Sequence, residues 1–354
     1  MGTSAHKVKL FLIRHGETVD NVAQVYAGRR DSELTNHGYQ QATRLGLHFK
    51  SLGLRFTHLF SSHLQRAAKT AALIQVAQSA PSVGSDAIHA VPNVVQLPVL
   101  MEQDFGFYEG KKWYDKPANT GLSGREHHRQ SHTDTPGFVD IEPVESLARR
   151  ADNFIDLHLL PLFHGAPSAT GHVVAIVSHG IMLSILWKRL LLRLPPKSVA
   201  FSPELSERVR CRSLEHLGGW SNTGYLELHL QKTMVEDLVS VVIPATPSDL
   251  DSRLTGDAPT NTQAEMSRLE DARAKFASTM VGTSSTDDTR SQLATSVVKQ
   301  LPVRLAHGWT TVIQTMNGRD HLKGLKRTGG GVGSARHDTS QQNVESFFKR
   351  RKLG

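Results

Sequence analysis

Two stretches of this chain end in the same way. Leu10-Phe11-Leu12-Ile13 runs into Arg14-His15-Gly16, and Val173-Val174-Ala175-Ile176-Val177 runs through Ser178 into His179-Gly180. Each is an apolar run of strand length, rich in branched residues, and reads as a buried parallel strand. Open α/β sheets bind ligands beyond the carboxyl ends of their strands. Arg14, His15 and His179 therefore stand where chemistry on a ligand would be done. An imidazole at such a point can serve as nucleophile or proton carrier, and a guanidinium beside it favours an anion. One strand-end histidine is usually structural, and an Arg-His pair alone is often a solvated strand end. Two His-Gly strand ends in one chain are harder to assign to structure. Gly16 lets the backbone turn away and leaves room for a ligand beside His15. The apolar pattern Ile181 to Leu194 follows Gly180 directly, so His179 and the Gly180 amide fall at a helix amino terminus, suited to an anion.

The elements around these ends alternate between strand and helix, which indicates the α/β class. Asp20 to Glu33 reads as loop. Leu34-Thr35-Asn36-His37-Gly38 opens a helix capped by Thr35 or Asn36, with Ala42, Leu45 and Phe49 at helical spacing. Thr57 to Phe60 is a short strand, followed by a helix that Ser61 or Ser62 caps. Arg66 then lies in its first turn or two, near the positive end of the helix dipole. Val94 to Leu100 is a strand candidate that leads into Met101-Glu102. Lys111 to Ile141 is polar and reads as an insertion or lid; in it His127, His128 and His132 have a metal-ligand spacing, but a solvated loop accounts for them better. Glu145 to Phe163 has an amphipathic helical pattern, with Leu147, Phe154, Ile155 and Leu159 on its apolar face. Ser206 to Gly219 is a second excursion, and Thr223 to Leu230 with Asp237 to Ile243 completes the sheet or its edge.

The run LFLIRHGET, with Asn21 after it, resembles the signature of the histidine phosphatase superfamily, which includes cofactor-dependent phosphoglycerate mutases and fructose-2,6-bisphosphatases. Further landmarks come in the same order. They are the Leu-Thr-Gly-like turn at 34–38, then Ser62, Leu64, Arg66, Ala67, Thr70 and Ala71 in a pattern like S-x-L-x-R-A-x-x-T-A, then the Glu102 to Gly110 block, then Ser178-His179-Gly180, and last Asn222-Thr223-Gly224. The resemblance implies a three-layer α/β/α phosphoglycerate mutase-like fold with a mostly parallel sheet and a disordered carboxyl-terminal tail. It implies a metal-independent phosphomonoester hydrolase without a cofactor, working through a phosphohistidine on His15. Glu102 would be the proton donor. Arg14, Arg66 and His179 would hold the non-bridging phosphoryl oxygens, with Asn21 and Gly180 also contacting substrate. His15 must then be the neutral imidazole, oriented through its other nitrogen. Asp104 is a competing carboxylate, and a turn role is sufficient for it. Mutases carry Arg-Tyr or His-Tyr before the glycine of the Glu102 block and later an Arg-Arg-Ser-Phe-Asp segment. Neither stands here, so hydrolysis is favoured and a phosphoglycerate or bisphosphoglycerate mutase is the alternative.

At 354 residues with 38% hydrophobic content, the chain is long enough for a large core. A single cysteine, Cys211, excludes an internal disulfide framework and fits a reducing compartment, hence cytoplasm or nucleus. Neither a secretory leader nor a membrane span is expected. The net charge of +8 suits an anionic partner, though much of the excess is clustered near the carboxyl end, without a direct nucleic-acid motif. These features divide the chain into a catalytic domain over 7–244 with insertions at 111–141 and 206–219, a low-complexity linker over 245–300 and a basic tail over 301–354. Leu301 to Val312 reads as a small strand pair or a docking segment, and Lys323 to Gly333 as a flexible basic linker. Gln341, Val344, Phe347 and Phe348 resemble the PIP box by which proteins dock on the sliding clamp, proliferating cell nuclear antigen. That motif raises a third reading, a clamp-binding adapter with a phosphatase-like domain. The run Lys349 to Lys352 is either a nuclear localisation signal or a solubilising end.

Overall fold

The computed structural model describes residues 6–79, 91–112, 130, 132–165, 171–208, 213–232, 304–305 and 308–338. All of these lie in one compact unit; residues 237–301 lie outside the described residues. The strand expected at Asp237 to Ile243, the paired histidines 127 and 128, and the PIP-box-like motif at 341–348 also lie outside them.

Among the described residues, seven strands form one sheet. They are β1 (His6–Arg14), β2 (His58–Ser62), β3 (Val94–Leu97), β4 (His172–Ser178), β5 (Val199–Phe201), β6 (Tyr225–Lys232) and β7 (Trp309–Gly318), in the order β3-β2-β4-β1-β6-β7-β5. The pairs β1/β4, β2/β4, β2/β3 and β5/β7 run parallel, whereas β6 is antiparallel to both β1 and β7. The two His-Gly strands are thus neighbours at the sheet centre. Arg14 stands opposite Ser178 in their register, so the two histidines leave the sheet side by side.

Alternation along β1 and β4 builds the three layers, because successive strand residues face opposite sides. Leu10, Leu12, Val174 and Ile176 face helices α4 (Val144–Phe154) and α6 (Gly180–Arg193), while Phe11, Ile13, Ala175 and Val177 face α2 (Asn36–Ser51) and α3 (Gln65–Ser79). Full burial of each large apolar side chain contributes about 1.5–3 kcal/mol. The remaining helices are α1 (Val19–Ala23), α5 (Leu160–His164) and α7 (Pro203–Arg208). Among the described residues no helix is long and apolar enough to cross a membrane.

Local details refine the expectations. Thr35 is the α2 cap, its hydroxyl accepting from Gly38 N at 2.9 Å. The start of α3 is held less simply: Ser62 Oγ accepts from Leu64 N, and the carboxylate of Asp31, from a distant loop, accepts from Gln65 N at 2.8 Å. The pattern Glu145 to Phe163 is interrupted by a π turn at Ile155–Leu159, just before Pro161, which has no amide hydrogen to continue the helix ladder. Strand β3 stops at Leu97 and a 3-10 turn, Pro98–Leu100, carries the chain on to Glu102. Gly16 serves a neighbour rather than a ligand. A Cβ there would lie 2.6 Å from the Gly38 carbonyl oxygen, and one on Gly38 2.0 Å from that of Glu17, so the two glycines let α2 start directly against the catalytic turn.

The largest correction concerns the carboxyl-terminal third. The domain does not end near residue 244, and 301–354 is not wholly a tail: β7 overlaps the end of the segment 301–312 that reads as a strand pair or docking segment, and it sits inside the sheet, antiparallel to β6 and parallel to β5. Nor is Lys323 to Gly333 a free linker. Lys323 O accepts from Arg44, Val332 O accepts from Asn36, and Arg327 pairs with Glu17, one residue from the His-Gly turn. His337 stacks on Tyr39 with ring centres 3.7 Å apart. Residues 319–338 therefore form a strap along the start of α2.

Candidate active site

At the carboxyl ends of β1 and β4 the imidazoles of His15 and His179 approach with ring centres 5.1 Å apart, both buried. His15 Nδ1 is 2.7 Å from its neighbour's carbonyl, Gly16 O. A carbonyl only accepts, so the proton is on Nδ1 and Nε2 holds a free lone pair. For His179 the logic reverses. Its Nδ1 accepts from Arg66 Nε at 3.1 Å, which leaves the proton on Nε2. That buried Nε2–H finds no partner among the described residues. Burial, reinforced by Arg66 and Arg14, holds both histidines well below the usual imidazole pKa; His15's bond to Gly16 works the other way. Both rings are therefore neutral at neutral pH, one presenting a lone pair and the other an N–H.

The two guanidiniums differ in what they have left to give. Arg14 donates to Trp220 O at 2.6 Å, and its buried Nε is without a partner among the described residues. Arg66 is fully buried on the first turn of α3 and donates to Arg30 O, Ala27 O and Gly28 O as well as to His179. Four of its five N–H groups are thus engaged, three in holding the loop 27–30 and one on His179, and it offers a ligand its charge and one donor. Burial lowers the pKa of both arginines, with Glu102 opposing the shift.

Glu102 is the anion at the helix end. Its Oε1 accepts from Met182 N and Gln103 N, both at 3.0 Å, and Oε2 accepts from Ile181 N at 3.2 Å. The positive end of α6, expected to face a bound anion, holds this carboxylate instead. Arg150 fixes the backbone that carries it, donating to Val99 O, Met101 O and Glu102 O while paired with Glu142 at 2.7 Å. Asp104 accepts from Gly106 N and pairs with Arg29, the turn role assigned to it.

These groups line one cavity of about 580 Å³, which Asn21 and Gly180 also border. Asn21 Oδ1 accepts from Thr18 N and Asn222 Nδ2, which turns the donor side of its amide to other use. Of the residues assigned from the sequence to catalysis or phosphoryl contact, Arg14, His15, Asn21, Arg66, Glu102 and Gly180 line one hollow, and His179 lies buried behind it against His15 and Arg66. Three further contributors had no legible role. Glu109 accepts from Gly28 N, Arg29 N, Arg30 N and Phe105 N and so shapes the loop that Arg66 also grips. Its Glu-Gly pairing was visible, but its four amide partners were not. Arg150 acts through contacts some fifty residues away, and Trp220 closes the cavity beyond Arg14. Of the histidines in the polar insertion, His132 is described and packs on Phe107 with ring centres 5.1 Å apart.

Comparison with known proteins follows the same lines. Residues 10–202, more than half of the chain, match the histidine phosphatase superfamily (branch 1). A probable phosphatase of Schizosaccharomyces pombe is 32% identical over 191 residues, 53% of this chain, which spans only 58% of that relative's length. A 2,3-bisphosphoglycerate-dependent phosphoglycerate mutase of Xanthobacter autotrophicus is 33% identical over 178 residues, covering 50% of this chain and 78% of the mutase. Among solved structures, the phosphoglycerate mutase of Bacillus anthracis aligns with a TM-score of 0.43 and 22% identity over 64% of this chain and 89% of its own. The matched segment holds Arg14, His15, Arg66, Glu102 and His179, and this chain belongs to the histidine phosphatase superfamily, branch 1.

Proposed function

We propose that the protein is a phosphomonoester hydrolase that works through a phosphohistidine on His15, without a metal. The observation that carries this reading is the pairing of unfilled groups. His15 presents a lone pair, and His179 Nε2–H and Arg14 Nε–H are buried donors without partners among the described residues. Buried donors normally find acceptors, and the oxygens of a phosphoryl group would supply them.

In the proposed cycle His15 Nε2 attacks phosphorus as the bond to the alcohol oxygen breaks. Arg14, Arg66 and His179 neutralise and bind the non-bridging oxygens, and the charge of Arg66 acts without the flexibility of a free side chain. The departing oxygen takes a proton at Glu102. Water then attacks the phosphohistidine, Glu102 takes its proton, and inorganic phosphate leaves with His15 neutral again.

The test is phosphate release by the purified full chain and its His15→Ala variant. The variant should lose activity by about 10⁴-fold or more and take up no label from phosphate-labelled substrate. Retained hydrolysis would remove the assignment. A mutase would show no free phosphate unless bisphosphoglycerate were present. We further propose that 341–348 docks on proliferating cell nuclear antigen; pull-down should fail for Phe347→Ala/Phe348→Ala, and equal capture would dismiss the motif.

A further inference from the structure

The cavity is larger than a phosphate, and its outer half differs chemically from the cradle. Beyond His15 and the guanidiniums it is walled by Val25, Tyr26, Phe105, Ile181, Ile185 and Trp220. Tyr26 and Phe105 pack together with ring centres 4.7 Å apart, which makes a continuous aromatic surface of the loops that Glu109 holds. Ile181 and Ile185 stand one turn apart on α6, on the helix face that begins at Gly180.

Part of the polar lining of this outer half is already satisfied from within, which among the described residues leaves the Tyr26 hydroxyl and Lys188 as side-chain partners there. Trp220 Nε1 donates to Ser184 Oγ at 2.9 Å, and Ser184 Oγ itself donates to Gly180 O at 2.9 Å. Thr18 Oγ1 accepts from Asn21 N. Among the described residues lining the cavity, Lys188 is the only charged side chain outside the cradle, two turns along α6 from Gly180. A polyol or glycerate placed here would bury several hydroxyl or carboxyl groups against carbon, with few partners on offer. An apolar or aromatic alcohol would bury its surface against six apolar side chains at no such cost.

Building on the hydrolase reading, we propose that the preferred substrates are phosphomonoesters of apolar, ring-bearing alcohols, with room for one polar or anionic substituent at Lys188. The phosphate cradle supplies the chemistry, and the outer wall selects the alcohol.

The test compares 2-phenylethyl phosphate with glycerol 3-phosphate, both esters of primary alcohols, so that leaving-group acidity is not the variable. The full chain should show kcat/KM at least about tenfold higher for the phenylethyl ester, carried mainly by KM. Phe105→Ala should narrow that ratio towards unity. Ile185→Ser, on a different wall, should narrow it as well, and thermal melting would confirm that both variants fold. Equal kcat/KM for the two esters, or a preference for glycerol 3-phosphate, would overturn the proposal while leaving the hydrolase intact. A ratio that neither folded variant alters would overturn it too. No turnover of either ester would remove the hydrolase reading, and this inference with it.

Discussion

The catalytic cradle and the carboxyl-terminal strap are held in place by opposite means. In the cradle His15, Arg66 and Glu102 are buried and have their orientation set by backbone groups: His15 by Gly16 O, Arg66 by the carbonyls of 27–30, Glu102 by the amides of α6. The strap touches the His15-Gly16 turn from outside through Arg327 on Glu17, and the start of α2 through Arg336 on Glu33 and His337 on Asn36, with its own arginines 39% and 69% exposed. Buried groups aligned by backbone lose little entropy when a ligand arrives. Exposed ion pairs are screened and contribute little each. The first arrangement suits chemistry and the second suits support, and mutations at the two should separate cleanly.

Glu102→Gln should give the larger effect on turnover. An amide cannot release a proton, and its NH₂ would face an α6 amide that now donates to carboxylate. Loss of kcat on an alkyl phosphate should be about 10²–10⁴-fold, and much smaller on an aryl phosphate, whose oxygen leaves without protonation. A uniform loss across leaving groups would place Glu102 in binding rather than proton transfer.

At the strap, Arg327→Gln removes the partner of Glu17. Arg327 is 39% exposed while Glu17 keeps the Thr35 hydroxyl at 2.8 Å, so the cost is about 1 kcal/mol or less. Stability should fall by a few degrees in Tm at most, and kcat/KM by less than about threefold. A loss of kcat comparable to that of Glu102→Gln would mean that the strap shapes the catalytic turn, and the separation drawn above would fail.

The same contrast explains what was legible in the sequence. The cradle was readable because its chemistry sits next to its scaffold: Arg14, His15 and His179 follow apolar runs directly, and Arg66 follows a strand-to-helix turn. Residues that act across long sequence separations left no local mark. Arg150 and Glu109 look like ordinary surface charges until the loops they fasten are seen. Strand β7 is only half legible, as one reading of 301–312, and its place in the sheet is not, because Trp309-Thr310-Thr311-Val312-Ile313-Gln314-Thr315 follows a long polar stretch and joins the sheet only through β6 and β5. Composition suggested that the domain had ended; the open positions beside β6 and β5 took up a later segment. The basic glycine-rich stretch was likewise taken for a linker, although Gly331 starts a 3-10 turn whose Ala335 carbonyl accepts from the Asn36 amide.

Where strap and cradle meet, His321 gives the subtlest test. Its Nε2 donates at 2.8 Å to Thr223 Oγ1, whose own hydrogen goes to Asn222 O; the Thr223 amide in turn donates to Arg14 O and His15 O. The other nitrogen, Nδ1, is buried without a partner, so a second proton would have no acceptor. Burial, with His48 and Arg44 nearby and only Asp320 opposing, pulls His321 down to about 4. The unfolded imidazole titrates near 6.5, so as pH falls from 6.5 towards 4 the unfolded chain binds a proton that the folded one refuses. Stability is fully present above that window and is lost through it, by about 3 kcal/mol at most from this residue. His321→Gln keeps an N–H for Thr223 but cannot titrate. Turnover at pH 7.5 should be unchanged, and the drop in Tm between pH 7 and pH 4.5 should be smaller than in the wild type, by several degrees. His15 and His179 remain in both proteins and cancel in the comparison. Parallel Tm curves for the two proteins would show that His321 accepts its proton in the folded state, and the tie between strap and catalytic turn would then have to rest on Arg327 alone.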